Sequence, residues 1–332
     1  MKFVLVIIVA AFLGAHSAPL QDKSINGDER WTIARDGEGR MHLVDLDPLE
    51  VEPETFFDPN GDMFYLLYTS SNPTEGQRIT FDVESLTNFR RNGSTRVLIH
   101  GWTTSSMSTE NIFTRNEFLA QGDHNVIAVD WSVGASANYI TSRNRVSVVG
   151  QAVARFLDFL HSNGYIQYHQ VHLIGHSLGS HVAGHVGKNV QGGRINVIFG
   201  TDPAGPLFNT NNPDRLDSSD AEYTEAIHTN AGLSGISEPI THAAFYPNFG
   251  SSQPGCENES GGSCNHARGP LFYSESIRSD LFIARQCTGY DQIVARNCPG
   301  TGVVAIMGGD SAKSIRGVFY LETNAQAPFA RG

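Results

Sequence analysis

The chain has 332 residues, 40% of them hydrophobic and 17% charged, with a formal net charge of −11. That length buries a large core and suits one large α/β domain or two small ones. The acidic balance argues against nucleic acid and offers no basic patch for anionic membranes, and nothing in the composition marks disorder or repeats. Of the 23 basic residues only Lys2, Lys23, Lys188 and Lys313 are lysines. Such a skew keeps positive charge in alkaline surroundings, although drift in composition explains it equally well.

Residues 1–17 read as a secretory signal: Lys2, the apolar run Phe3–Leu13, then Ala15-His16-Ser17 suiting cleavage after Ser17. The run is too short to span a membrane and no later run is long enough. An exported, soluble protein is therefore expected, with its four cysteines oxidised. Asn92-Gly93-Ser94 and Asn258-Glu259-Ser260 are N-glycosylation acceptors, whereas Pro73 blocks Asn72-Pro73-Thr74. Residues 18–58 are charged and proline-dotted, either a pro-segment or an arm wrapped on the domain. No linker divides 59–332, so it reads as one domain.

Phe64–Thr69 and Ile79–Asp82 are short strands around an Asn72-Pro73 turn, a hairpin at a sheet edge. Arg96–His100 is an apolar strand running into Gly101-Trp102. Thr109–Gln121 reads as a helix and Asn125–Asp130 as a buried strand. Asn144–Asn163 puts Val146, Val149, Val153, Phe156, Leu157 and Leu160 on one face and stops at Gly164, the pattern of a helix. Val171–Ile174 and Arg194–Phe199 are further strands, with Glu222–Thr229 and Thr241–Tyr246 after them. Strands alternating with helices predict a largely parallel sheet with right-handed crossovers, and a site at the carboxyl ends of its strands.

The chemistry centres on Val171–Val186, VHLIGHSLGSHVAGHV. A strand meets Gly175-His176-Ser177-Leu178-Gly179, and Ser180, Ala183, Gly184 and Gly187 follow at helical spacing. This is the G-x-S-x-G elbow, in which a side chain at either glycine would collide with the neighbouring strand or helix. The turn exposes the Ser177 hydroxyl and aims a helix N-terminus at it, the arrangement of a nucleophile. A glycine-rich turn with an incidental serine needs neither the flanking strand nor the small-faced helix.

A serine nucleophile needs a base, and the base needs a carboxylate to hold its tautomer. Asp202 lies at the end of the strand after the elbow. A lone Asp-Pro is a turn former, but that position makes Asp202 the candidate orienting group. Among the 13 histidines, His176 and His181 are local to the elbow, and His228 and His242 fall in strands. His266 sits in a late loop two residues after Cys264 and completes the order Ser…Asp…His.

Gly175-His176-Ser177-Leu178-Gly179, Asp202-Pro203-Ala204-Gly205-Pro206, Phe245-Tyr246-Pro247-Asn248 and Cys264-Asn265-His266 resemble the pancreatic lipase family in order and spacing. The likeness runs from about residue 60 to Phe319-Tyr320-Leu321-Glu322-Thr323 and is strongest to secreted insect members, midgut neutral lipases included. It implies an α/β-hydrolase fold, a largely parallel central sheet flanked by helices. It also implies a Ser177–Asp202–His266 triad and an oxyanion hole of the backbone N–H groups of Trp102 and Leu178. By the same resemblance Cys256 pairs with Cys264 and Cys287 with Cys298. No cofactor is required. Arg215, Asp217 and Asp220 resemble part of a structural calcium site, with Asn212 in place of a glutamate; a solvated polar turn is the other reading. Ala244 and Phe249 depart from the family's aspartate and glycine, which implies altered packing or substrate contacts.

The chain ends where the family's hydrolase domain ends, so neither its C-terminal β-sandwich nor colipase dependence is expected, and a monomer is. The expected activity is hydrolysis of a lipid carboxylic ester outside the cell, the digestive lumen being one such place. Where triacylglycerol lipases of the family carry a long amphipathic lid, Cys256 and Cys264 enclose only Glu257–Ser263, with no apolar side chain. That, and a short His228–His242 segment, resembles the phospholipases A1 and galactolipid-active members; a lidless acylglycerol lipase is the other reading. The competing class is a non-catalytic lipid or hormone carrier like the insect yolk proteins, which keep the fold without the nucleophile.

Overall fold

The computed structural model describes residues 31–35, 40–45, 56–258 and 262–332. The expected export signal and residues 259–261, part of the Asn258 acceptor and of the Cys256–Cys264 loop, lie outside them. In chain order the elements begin with β1 (Trp31–Arg35), β2 (Met41–Asp45), α1 (Pro59–Asp62), β3 (Phe64–Tyr68), β4 (Gln77–Ile79) and β5 (Thr95–Ile99). Next come α2 (Thr109–Gln121), β6 (Asn125–Asp130), α3 (Ser132–Ala135), α4 (Tyr139–Ser162), β7 (Val171–His176), α5 (Leu178–Asn189) and β8 (Val197–Thr201). The last are β9 (Tyr223–Ile227), β10 (Ala243–Pro247), α6 (Ser263–Ser276), β11 (Ile283–Gln286), α7 (Tyr290–Val294), β12 (Val304–Ile306) and β13 (Gly317–Leu321).

Eleven strands form one sheet in the order β12-β11-β13-β10-β9-β8-β7-β5-β6-β3-β4. From β13 to β6 every pairing is parallel, and antiparallel strands close both edges. Alternation along each strand explains the layers. Val97 and Ile99 of β5 join Val153 and Phe156 of α4 and Val182 of α5 in one core. Leu98, between them, joins Phe118 of α2 and Phe272 of α6 on the opposite face. With both faces covered, the central strands carry apolar residues toward both layers. This is the expected α/β-hydrolase architecture, and none of the described helices is long and apolar enough to cross a membrane.

The differences from the sequence reading have local causes. Helix α4 begins at Tyr139, five residues before the predicted Asn144, because Asn138 caps it by accepting from Thr141 N–H at 2.9 Å. Strand β4 stops at Ile79, and Asp82 instead caps the short turn that follows by accepting from Glu84 N–H. Strand β8 begins at Val197, since Arg194 is drawn aside to the carbonyls of Ser219 and Ala221. Phe249, which replaces the family's glycine, adopts φ 66° and lays its ring 4.2 Å from that of Tyr320.

Both expected disulfides are present, Cys256–Cys264 and Cys287–Cys298, with sequence separations of 8 and 11. Loops of that length are worth roughly 2–3 kcal/mol each in the chain-entropy account. Cys256–Cys264 ties the loop after β10 to the first turn of α6, the element that carries His266.

Candidate active site

The elbow glycines are required by contact. A Cβ on Gly175 would lie 2.3 Å from the Gly179 carbonyl oxygen, and one on Gly179 would lie 2.2 Å from that of Ile99. With nothing in the way, β7 turns into α5 through Ser177 at φ 55°, ψ −125°, a strained conformation for an L-residue. Gly101 serves the same close approach from β5, since its Cβ would meet that of Ser177 at 2.8 Å. Leu178 is the first residue of α5, so its N–H has no intrahelical acceptor. Trp102 is buried beside it; its indole donates to Ala137 C=O at 2.8 Å and packs edge-on against Tyr139 and against His42 of β2.

Asp202 follows β8 and is wholly buried. Its Oδ1 accepts from the backbone N–H groups of Thr229 and Asn230 at 2.7 and 2.9 Å, and its Oδ2 lies 2.6 Å from His266 Nδ1. Sequence reading put Thr229 in a strand. The structure ends β9 at Ile227; His228 N–H still bonds Phe245 C=O, and the amides of Thr229 and Asn230 then turn onto the carboxylate. Gly235 and Gly269 leave room for this: a Cβ on either would meet Asp202 at 2.5 and 3.1 Å.

His266 corrects the sequence reading in one respect, since it stands in the first turn of α6 and not in a loop. Its N–H bonds the Gly262 carbonyl at 2.9 Å, and Gly262 takes φ 82° to start the helix. Pro270, four residues on, has no N–H to offer the His266 carbonyl. The imidazole rings of His176 and His266 lie 4.5 Å apart. Burial, reinforced by the neighbouring His266, holds His176 well below the usual histidine range. It therefore stands as a neutral prop between the elbow and α6. No sequence signal marked this role beyond its place before Ser177.

The other candidate histidines, and His100 with them, are engaged elsewhere. His181 bridges Ala204 C=O and Leu216 N–H, and burial lowers its pKa to about 3. His228 bonds Ile236 C=O and stacks on Tyr246, while His242 accepts from Thr224 N–H. Burial takes His100 down to about 4, with its ring held between Gly101 C=O and Trp131 N–H. Of these candidates only His266 is paired with a buried carboxylate.

Arg215, Asp217 and Asp220 do come together, but their oxygens already face cations. Arg215 Nη1 lies 2.6 Å from Asp217 Oδ2, and Lys188 Nζ lies 2.5 Å from Asp220 Oδ2. Asn212 is spent on Asp214 N–H and Leu207 C=O. A divalent cation needs several unpaired oxygens, and this donor set does not fit one. Asn92 and Asn258 are both exposed.

The profile of the Lipase family matches residues 46–329. The chain is 36% identical over 305 residues to pancreatic triacylglycerol lipase of Mus musculus, an alignment covering 80% of this chain and 64% of that protein. It is 35% identical over 287 residues to pancreatic lipase-related protein 2 of Cavia porcellus, covering 80% and 65%. To pancreatic lipase-related protein 3 of Homo sapiens it is 37% identical over 304 residues, covering 80% and 64%. The chain thus spans a little under two thirds of the length of these relatives.

Proposed function

Because the chain belongs to the lipase family, we propose that it hydrolyses carboxylic esters of lipids through an acyl intermediate on Ser177. The observation that carries this reading is the 2.6 Å contact between His266 Nδ1 and Asp202 Oδ2, at the same end of the sheet as the strained Ser177 turn. In this reading Ser177 Oγ attacks the ester carbonyl while His266 Nε2 takes its proton. The N–H groups of Leu178 and Trp102 stabilise the oxyanion. Collapse of the tetrahedral intermediate expels the alcohol, protonated by His266, and leaves the acyl group on Ser177. Water, deprotonated by His266, then releases the fatty acid. Asp202 holds Nδ1–H throughout, its position set by the two backbone donors. Two disulfides belong with an oxidising compartment, which supports an extracellular setting.

A serine-directed organophosphate tests the reading against a non-catalytic carrier of the same fold. Mass spectrometry is expected to find one adduct, on Ser177, with loss of esterase activity in proportion. Activity that survives complete labelling of Ser177 would overturn it.

The substrate follows from the Cys256–Cys264 loop. Glu257 and Asn258, its described residues nearest Cys256, are polar and exposed. Lid opening at a lipid surface is driven by apolar area, at roughly 25 cal/mol per Å², and this loop has none to contribute. Hydrolysis of a partly soluble ester is therefore expected to rise smoothly through its solubility limit. Mixed phospholipid or galactolipid micelles are expected to be cleaved at rates comparable to or above emulsified triacylglycerol. A sharp jump at the limit would assign a lid elsewhere, the Gly232–Pro239 segment with its exposed Leu233 being the first to examine.

A further inference from the structure

The turn between β8 and β9 contains a carbonyl and a carboxylate aimed at one point. Lys188, near the end of α5, occupies that point: its Nζ donates to Arg215 C=O at 2.9 Å and to Asp220 Oδ2 at 2.5 Å. The Asp220 side chain is 1% exposed and that of Lys188 28% exposed, so the ammonium plugs the turn with one side toward water. We infer that Lys188 is the resident cation of this turn, filling from within the chain the position that the family resemblance gives to calcium, and that the turn is ordered without metal.

Three observations support this. Helix α5 lies directly against the turn, because a Cβ on Gly187 would sit 2.1 Å from the Asp220 carbonyl oxygen and one on Gly184 would sit 2.8 Å from Asp220 Oδ2. Lys188, adjacent to Gly187, is thereby delivered to a carboxylate too buried for water to neutralise. The second carboxylate is matched independently, by Arg215 on Asp217 at 2.6 Å. Two anions face two cations, and a calcium ion added there would meet two fixed positive charges within a few ångströms. Lastly, Asp220 is already a cap: its Oδ2 accepts from Asp217 N–H at 2.8 Å while Asp217 Oδ1 accepts from Ser219 N–H at 2.9 Å. The turn keeps the oxygens of a cation site, and an ammonium with three N–H donors satisfies them.

The consequence reaches the elbow. Leu216 N–H donates to His181 Nδ1 at 2.9 Å, and His181 belongs to the helix that begins beside Ser177. Lys188 thus braces the elbow helix from its far end.

The test compares thermal unfolding of the full chain in chelator and in millimolar calcium chloride, with titration calorimetry using calcium alone. The wild-type melting temperature is expected to be the same in both media, with no binding heat. Lys188→Met leaves a buried carboxylate unpaired, and in chelator it is expected to melt about 10 °C lower. Calcium is expected to restore much of that loss, since the vacated oxygens accept a cation. Lys188→Gln, which still donates to the Arg215 carbonyl, is read the same way if the methionine variant does not fold. Calcium stabilising the wild type would overturn the inference. So would a variant as stable as wild type in chelator, or one that is destabilised but unresponsive to calcium, which would make Lys188–Asp220 an ordinary ion pair.

Discussion

Ser177→Ala is expected to abolish ester hydrolysis and leave the fold intact. The hydroxyl is the only atom removed, and it accepts no structural load: the backbone of the turn is held by Ser177 N–H to Thr201 C=O at 3.2 Å and by Ser180 N–H to Ser177 C=O at 3.0 Å. In the serine-protease comparison, losing the nucleophile costs about 10⁶ in kcat, so steady-state assays on a short-chain ester should fall to background. Ser177→Gly gives a sharper check. Glycine adopts a φ of 55° without the Cβ penalty, so this variant should be equally inactive yet up to about 1 kcal/mol more stable. Residual wild-type-like turnover in either variant would remove Ser177 from the mechanism. A Ser177→Gly variant less stable than wild type would show that the turn is not strained.

Asp202→Asn should lower kcat by about 10⁴. The asparagine amide has one acceptor, and three donors converge on it: Thr229 N–H, Asn230 N–H and His266 Nδ1–H. With its oxygen toward Thr229 and Asn230, the NH₂ group faces His266 and forces the imidazole to carry its proton on Nε2, the wrong tautomer for taking one from Ser177. With its oxygen toward His266, the NH₂ group opposes two backbone donors in a site with no exposure, and stability falls by about 1–3 kcal/mol. The pair of measurements is kcat and the melting temperature. Loss of activity with little change in melting temperature selects the first orientation; a lowered melting temperature with partial activity selects the second. Wild-type values of both would mean that Asp202 does not orient the base.

The elbow was legible because its constraints are local. Gly175–Gly179 is a run of five residues, and a Cβ on Gly175 would meet Gly179 within that run, although one on Gly179 would meet Ile99 of β5. The same holds for the apolar central strands and for α4, whose single apolar face needs only the 3.6-residue period. The edges of these elements were harder, because a cap decides them. Asn138 extends α4 and Asp82 shortens β4 through side-chain bonds that compete with the periodic pattern.

Helix α6 was invisible for a different reason. Ser263–Ser276 has Gly269 and Pro270 at its centre, both poor helix residues, so the propensity of the segment points to a loop. The helix forms because Phe272 and Tyr273 bury completely against the sheet, and Gly269 is there for its lack of a Cβ beside Asp202. Proline and glycine, read as breakers in sequence, are what let the helix carry His266 close to its carboxylate.

By itself, then, the sequence determined the α/β layering, the sharp Gly-x-Ser-x-Gly turn and the acidic residue one strand later, all of which follow from period and local sterics. Which of the 13 histidines pairs with Asp202 belongs to the tertiary structure, since Asp202 and His266 are 64 residues apart and chain order only ranks the candidates. So does the cation of the Arg215–Asp220 turn. The pattern of arginine and two aspartates reads the same whether its partner is a metal ion or Lys188, 32 residues upstream of Asp220. Only packing, with two glycines admitting the helix to the turn, brings the ammonium to the oxygens.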